Sequence, residues 1–181
     1  MDGDGVDRKS SDKYPNRGDI LVRTDRLNEL AQTRLDYWTE LVSYMRRHSS
    51  INFNEPSSKH QLRAKAETFG SDNFILVALA TVRPELRISV GLEISGPKDY
   101  YTVLEADKFR IQNAIGFERS NKQEFLWNPE TKVKDIWLYW YVDFFKRQHW
   151  PEQHKWLCYK LEAFRKVLTP RIKELIPLGA S

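Results

Sequence analysis

The stretch FILVALATVRPELRISVGLEI, residues 74–94, decides the fold of this chain. Its first part, up to residue 82, is an almost continuous apolar run of the kind found in central strands. Its last part alternates apolar and polar residues from Leu86 to Ile94, and Arg83-Pro84-Glu85 between the two parts is typical of a turn. The stretch therefore predicts two neighbouring antiparallel strands at the centre of a sheet.

Three further strands are predicted around this hairpin. Over residues 62–67, leucine and alanine alternate with charged residues, which indicates a strand with one buried and one solvated face. A short strand near residues 125–127 and a long aromatic strand over residues 136–145 lie on either side of a turn at Asn128-Pro129. The first three strands should form an antiparallel meander.

Helical periodicity occurs before, between and after these strands. A first amphipathic helix starts near residue 24, a second follows residue 97 and stops at Gly116, and a third begins at Trp150. Pro170 is expected to kink the third helix or to separate its last turn. The order α-β-β-β-α-β-β-α predicts an α+β domain, with a mostly antiparallel sheet of about five strands and helices packed on it.

Length and composition fit one folded domain. A chain of 181 residues with 40% hydrophobic and 13% aromatic residues can bury a sizeable core. Residues 1–19 are mostly Gly, Asp, Ser, Lys and Arg, so a flexible tail is predicted there, followed by a single α+β domain over 20–181. The formal charge of +4, from 29 basic and 25 acidic residues, is a weak basic bias that suits phosphate groups without requiring them.

Cysteine usage and hydropathy limit the compartment. Cys158 is the single cysteine, which excludes an intrachain disulfide and a multi-cysteine zinc site and favours a reducing environment. No apolar run approaches the roughly 20 residues that span a bilayer. The expectation is a cytoplasmic protein without a membrane partner.

Several segments carry a family resemblance. TRLDYWTEL at 33–41 and WPEQHKWL at 150–157, with KLEAF at 160–164 and PRIK at 170–173, resemble the bacterial and archaeal domain-of-unknown-function family 4268. The resemblance extends over roughly residues 34–175. The family has no established activity, but such domains often follow a nuclease-like domain. The resemblance therefore implies a context of nucleic-acid processing or defence against foreign DNA.

The element order also occurs in restriction-endonuclease-like folds, which makes a nuclease site worth testing. Such a site needs an acidic residue on the second strand and a Glu-x-Lys or Asp-x-Lys on the third, to hold magnesium and orient the attacking water. The third strand offers Glu93-Ile94-Ser95, with serine in place of lysine, and the second strand contains no acid. Asp72 and Lys98 are the substitutes near the strand ends, so Asp72, Glu93 and Lys98 form the alternative site. Glu93 otherwise belongs to the solvated face of its strand.

The aromatic strand is the main candidate for binding. Because side chains alternate along a strand, Trp137, Tyr139 and Tyr141 share one face, and Lys132 and Lys134 lie beside them. An exposed face of this kind can stack nucleic-acid bases or bury a protein partner. A strand covered by helices on both faces explains the same run. The sequence leaves both interpretations open.

Other motifs of catalysis or metal binding are missing from the sequence. His149 and His154 are five residues apart, unlike a zinc-binding pair on one helix face, and Cys158 lies within a helical pattern without a partner. We therefore expect no catalytic residue, no metal and no cofactor. The expected function is a non-catalytic binding or interaction module, an accessory domain in nucleic-acid processing or defence with a nucleic acid or protein partner. The alternatives are a degenerate restriction-endonuclease-like metal-dependent nuclease and a homo-oligomeric structural domain.

Overall fold

The computed structural model of the chain describes residues 17–129 and 133–176, and their side chains except for those of residues 17–22 and Lys98. It contains one antiparallel sheet with the strand order β1-β2-β3-β5-β4, as the sequence predicts for an α+β domain. The strands are β1 Gln61–Arg63, β2 Phe74–Thr81, β3 Arg87–Ile94, β4 Gln123–Asn128 and β5 Lys134–Trp140. The helices are α1 Arg17–His48, α2 Lys98–Ala106, α3 Lys108–Ile115 and α4 Trp150–Leu175.

One face of the sheet packs against the helices and forms the main core. The register places Leu62, Ala78, Val90 and Leu138 side by side across four strands, and all of them are buried. Helices α1 and α4 cover this face with a set of large buried side chains, among them Trp38, Leu41, Leu157, Leu161 and Phe164. Burial of each such side chain contributes about 1.5–3 kcal/mol, so this layer accounts for much of the stability.

The opposite face carries a second, smaller apolar cluster, which we call the strand-only face because all its members belong to β2, to β5 or to the residue after β5. Its buried members are Val77, Trp137 and Tyr139, and its partly buried members are Ile75, Leu79 and Tyr141. The predicted alternation along the aromatic strand is confirmed, because Leu138 and Trp140 lie in or against the main core.

Element boundaries differ from the predictions at several points. The chain is already helical at Arg17, so residues 17–19 belong to α1, whereas residues 1–16 of the predicted tail lie outside the described part. The predicted second helix is interrupted at Asp107 and forms two helices, α2 and α3. At this position Arg171 of α4 donates hydrogen bonds of 2.6 and 2.9 Å to one carboxylate oxygen of Asp107. Strand β5 ends at Trp140 and not at residue 145.

Helix α4 continues through Pro170 to Leu175, so the proline does not separate a last turn. The proline leaves one carbonyl in the preceding turn without its usual donor. Side-chain hydrogen bonds surround that position: Thr169 Oγ1 donates to the carbonyl of Arg165 at 2.6 Å and Arg171 Nη1 to that of Val167 at 2.7 Å. None of the helices within the two described stretches has the length and apolarity to cross a membrane.

Candidate binding cleft

The strand-only face does not expose the aromatic surface that the sequence suggests. Trp137 and Tyr139 each keep only 7% of their surface exposed. Trp137 lies against Gly91 of β3, and the guanidinium of Arg87 lies 4.0 Å from the centre of the Tyr139 ring. Of the two interpretations that the sequence left open, the exposed aromatic face therefore does not apply at these two positions. Ligand binding by Trp137 and Tyr139 stays a prediction.

Of the two lysines predicted to flank this face, the one that the structure describes does not lie beside it. Lys134 pairs with Ile94 in the register and therefore points to the helix-covered side, where its ammonium lies 5.2 Å from the centre of the Tyr101 ring. Lys132 lies outside the described residues. Tyr141 is half-buried, and its hydroxyl donates to Glu124 Oε2 at 2.9 Å. Tyr141 lines the concave surface described below.

Two of the three residues of the alternative nuclease site have described side chains, and their contacts differ. Asp72 is exposed, and its carbonyl accepts a hydrogen bond from Ser95 Oγ at 3.3 Å. Glu93 lies on the strand-only face, where Arg63 forms an ion pair with it at 2.5 Å. The side chain of Lys98 lies outside the described part. The contacts given for Asp72 and Glu93 do not join their carboxylates. No group of three or more His, Cys, Asp or Glu residues suited to a metal occurs among the described residues.

Glu93 has an acidic neighbour that the sequence did not indicate. Asp135 of β5 is its direct partner in the register. Burial raises the pKa of the Asp135 carboxyl, hydrogen bonds from Trp137 and Asn128 act in the opposite direction, and the negative charge of Glu93 raises it further. Since Arg63 compensates Glu93, these residues form a charge network of the sheet rather than a metal site.

The candidate site with the most aromatic lining is a cleft of about 660 Å³ between the β4–β5 end of the sheet and the first turns of α4. We call it the cleft. Strand ends and helix turns supply one wall each, and the loop before β4 forms the rim. Its lining residues are Glu118, Ser120, Asn121, Lys122, Gln123, Trp140, Tyr141, Val142, Glu152, Lys155, Trp156 and Tyr159.

Aromatic rings form the walls of the cleft. Trp140 from the end of β5 and Trp156 from α4 are both partly exposed, with ring centres 5.2 Å apart and an angle of 45° between the planes. Tyr159 follows Trp156 one turn later on the helix and is 65% exposed. Burial raises the pKa of the Tyr141 hydroxyl, as does its hydrogen bond to Glu124, so this group remains protonated. The walls therefore offer planar apolar surface to a ligand.

The rim of the cleft is a loop fixed by hydrogen bonds to its surroundings. The buried ammonium of Lys160 donates to the carbonyls of Ile115 and Gly116 at 3.3 and 2.6 Å, which holds the end of α3. The side-chain oxygen of Gln123 accepts from the backbone N–H of Glu118 at 3.2 Å. The carbonyl of Lys122 accepts from the backbone N–H of Tyr141 at 3.2 Å. The rim is thus positioned by both α4 and β5.

Lys122 has an unusual backbone conformation on this rim. Its φ of 56° and ψ of 40° place it in the left-handed region, which non-glycine residues adopt only at a cost of about 1–2 kcal/mol. Lys155 stands across the cleft on α4, and both lysines are exposed. Within the described residues, neither ammonium has a carboxylate partner at ion-pair distance. Two lysines therefore line the cleft without an ion-pair partner, together with the carboxylates Glu118 and Glu152.

Two smaller concave regions adjoin the cleft, and both contain Lys122 and Tyr141. One, of about 370 Å³, extends past Phe117, Arg119 and Phe125. The other, of about 290 Å³, extends toward Lys146 and His149 at the start of α4. We call the three regions together the groove.

Part of this site had a signal in the sequence that our interpretation did not use. Glu152, Lys155, Trp156 and Tyr159 recur at helical spacing, so they form a mixed polar and aromatic stripe beside the apolar face of α4. Lys122 had no such signal, because a left-handed conformation at lysine is not encoded by a local motif.

The fold and the cleft define an α+β domain with an aromatic, lysine-bearing cleft at one end of its sheet. The family model described as a domain of unknown function, DUF4268, matches residues 33–172, and the chain belongs to that family. The matched range includes every residue of the cleft. No curated protein and no solved structure matches the chain.

Proposed function

We propose that this chain is a non-catalytic binding module whose ligand enters the cleft and packs against Trp140 and Trp156. The observation that carries the proposal is the pair of partly exposed indole rings that line a concave surface. Large aromatic side chains are normally buried or at interfaces, since each has much apolar surface to remove from water. A ligand with a planar ring would cover these indole rings and remove their apolar surface from water.

The dimensions suit such a ligand. Small-molecule sites commonly enclose roughly 300–1,000 Å³, and the cleft has about 660 Å³. Stacking of a ring on an exposed aromatic side chain contributes about 1–3 kcal/mol. The polar groups at the rim, Lys122, Glu152 and Lys155, would then orient the ligand.

The chemistry of the site favours noncovalent binding. The raised pKa of Tyr141 keeps its hydroxyl protonated, which makes it a poor base. Cys158, on the same helix, is buried, and burial raises the pKa of its thiol, with Glu162 adding to the effect. A reactive cysteine needs the opposite shift. These properties support binding rather than nucleophilic catalysis.

Filling the cleft tests the proposal directly. Ser120 lies on the exposed rim, so Ser120→Phe should block entry without removing a buried side chain, and Ser50→Phe at an exposed position near the end of α1 is the matched control. The probes are thymidine, thymidine monophosphate and N-methylpyridinium, which carry a ring with no charge, negative charge and positive charge. Binding is followed by the NMR signals of the tryptophan indole N–H groups.

We expect at least one probe to shift the Trp140 and Trp156 signals in the original protein and in Ser50→Phe, and to have no such effect in Ser120→Phe. The proposal is wrong if none of the probes shifts these signals. It is equally wrong if the shifts persist unchanged in Ser120→Phe.

A further inference from the structure

We infer that the groove binds single-stranded nucleic acid, with bases against its rings and phosphates against its cations. This inference rests on the proposed function and names the ligand class for the same site. It depends on three properties of the groove: its extent, the placement of rings beside cations, and three cations that have no ion-pair partner.

The groove is longer than a site for one small molecule. The regions of about 660, 370 and 290 Å³ all meet at Lys122 and Tyr141, and together they exceed the usual range for a single small-ligand site. One of the smaller regions includes Phe117, and the other includes His149. A chain-like ligand fits this form better than a compact one.

Rings and cations lie beside one another in the groove. Arg119 lies beside Phe117, with its guanidinium 5.8 Å from the ring centre. Lys122 lies beside Tyr141 at the centre, and Lys155 lies beside Trp156 in the cleft. Proteins that bind single strands combine stacking rings with a positive track for the backbone. The arrangement here has both components in one concave surface.

Three cations of the groove have no ion-pair partner. Within residues 17–129 and 133–176, the ion pairs include none for Arg119, Lys122 or Lys155. The carboxylates Glu118, Glu124 and Glu152 have no ion-pair partner there either, whereas Lys146 lies 3.9 Å from Asp143. Because Arg119, Lys122 and Lys155 each lie beside a ring, they can contact the phosphates of a strand whose bases stack on those rings.

The test is fluorescence anisotropy of labelled octathymidylate at several salt concentrations. The variant Lys122→Asn/Lys155→Gln removes two groove cations, and asparagine tolerates the left-handed conformation at position 122. The control Lys59→Gln/Lys173→Gln removes two exposed lysines outside the groove and causes the same change in net charge. For single strands, the slope of log K against log salt falls by about 0.7 for each phosphate that the protein no longer neutralises.

We expect the groove variant to reduce this slope by about 1–1.5 and the control to leave it unchanged. Unlabelled octathymidylate should compete at least ten-fold better than thymidine monophosphate, and better than a duplex of equal length, because duplex bases are not free to stack. Equal slopes in the two double variants would overturn the inference. So would equal competition by the mononucleotide or by the duplex.

The results also separate this inference from the proposed function. If thymidine shifts the indole signals of Trp140 and Trp156 but octathymidylate does not bind at low salt, the nucleic-acid inference is wrong and the binding module stands. If neither ring-bearing probes nor the oligonucleotide bind, both are wrong.

Discussion

The indole ring of Trp137 on β5 lies directly against the backbone of Gly91 on β3. A β-carbon at Gly91 would stand 2.2 Å from Cε3 of Trp137 and 2.6 Å from the carbonyl oxygen of Ile136. These distances are far inside van der Waals contact, so the ring uses the space that a side chain at position 91 would occupy. The absence of a side chain there allows Trp137 to lie flat across the sheet and be nearly buried on a face built only from strands.

Gly91→Ala should therefore destabilise the protein by about 3 kcal/mol, because the extra methyl group forces Trp137 or β5 to move. The matched control is Ser89→Ala, two residues away on the same face. Ser89 is fully buried, and its hydroxyl has no hydrogen-bond partner within the described residues. Removing an unsatisfied hydroxyl is neutral or stabilising. Urea denaturation measures both, and equal free energies of unfolding for the two variants would contradict the close approach of ring and backbone.

The sequence was sufficient for the sheet because its signals are local. The apolar run of β2, the alternation in β3 and the turn between them required no knowledge of distant residues. The end of β5 depends on interactions outside the strand: Asp143 accepts from the backbone N–H of Phe145, and Trp150 Nε1 donates to the carbonyl of Phe144 at 2.7 Å. These bonds take residues 141–145 out of the strand although their apolar character favours it.

The same distinction explains the site. The burial of Trp137 depends on a glycine of another strand, and the break between α2 and α3 lies at Asp107, which binds Arg171 from 64 residues further along the chain. The cleft joins a strand end, a loop and a helix that are adjacent only after folding. Alternation along one strand identified Tyr141, but it could not show which of the aromatic rings remain accessible.

Acid should destabilise the fold through His154. Its ring is buried against Tyr37, with ring centres 4.6 Å apart, and its Nε2 atom has no hydrogen-bond partner among the described residues. Burial lowers the pKa of His154 to about 4. In the unfolded chain the histidine has its ordinary pKa of about 6.5, so between about pH 6.5 and 4 the unfolded state binds a proton that the folded state does not bind. The free energy of unfolding is therefore not reduced by this group above pH 6.5, and it falls by about 3 kcal/mol as the pH falls through this window.

His154→Phe keeps a ring at this position and removes the titration. Between pH 7 and pH 4, the free energy of unfolding of the original protein should fall by about 3 kcal/mol more than that of this variant. His149→Gln, at an exposed position nearby, should follow the original protein. Parallel pH profiles for the original protein and His154→Phe would show that the histidine is not the group responsible.

Lys122 offers a test of whether stability is sacrificed for function. Lys122→Gly should stabilise the protein by about 0.5–1 kcal/mol, since glycine adopts the left-handed conformation without steric cost. Gly70→Ala is the reciprocal control: Gly70 has a φ of 70° and open space around its α-carbon, so alanine there should cost about 1 kcal/mol from backbone strain alone.

If the groove binds nucleic acid, Lys122→Gly should also weaken octathymidylate binding while it raises the melting temperature. Opposite changes in stability and affinity would support a retained functional lysine. If Lys122→Gly instead lowers the stability of the protein, the backbone at position 122 is not strained.

Tyr159 and Phe109 separate stacking from general surface hydrophobicity. Both rings are highly exposed, 65% for Tyr159 and 71% for Phe109, but only Tyr159 lines the cleft. Tyr159→Ala and Phe109→Ala should each change the free energy of unfolding by less than about 0.5 kcal/mol. Tyr159→Ala should weaken octathymidylate binding by about 1–3 kcal/mol at every salt concentration, because stacking does not depend on ions. Phe109→Ala should leave binding unchanged. Equal loss of affinity in Tyr159→Ala and Phe109→Ala would indicate a nonspecific apolar surface. If Trp137→Phe weakens octathymidylate binding and Tyr159→Ala does not, the binding site lies on the strand-only face.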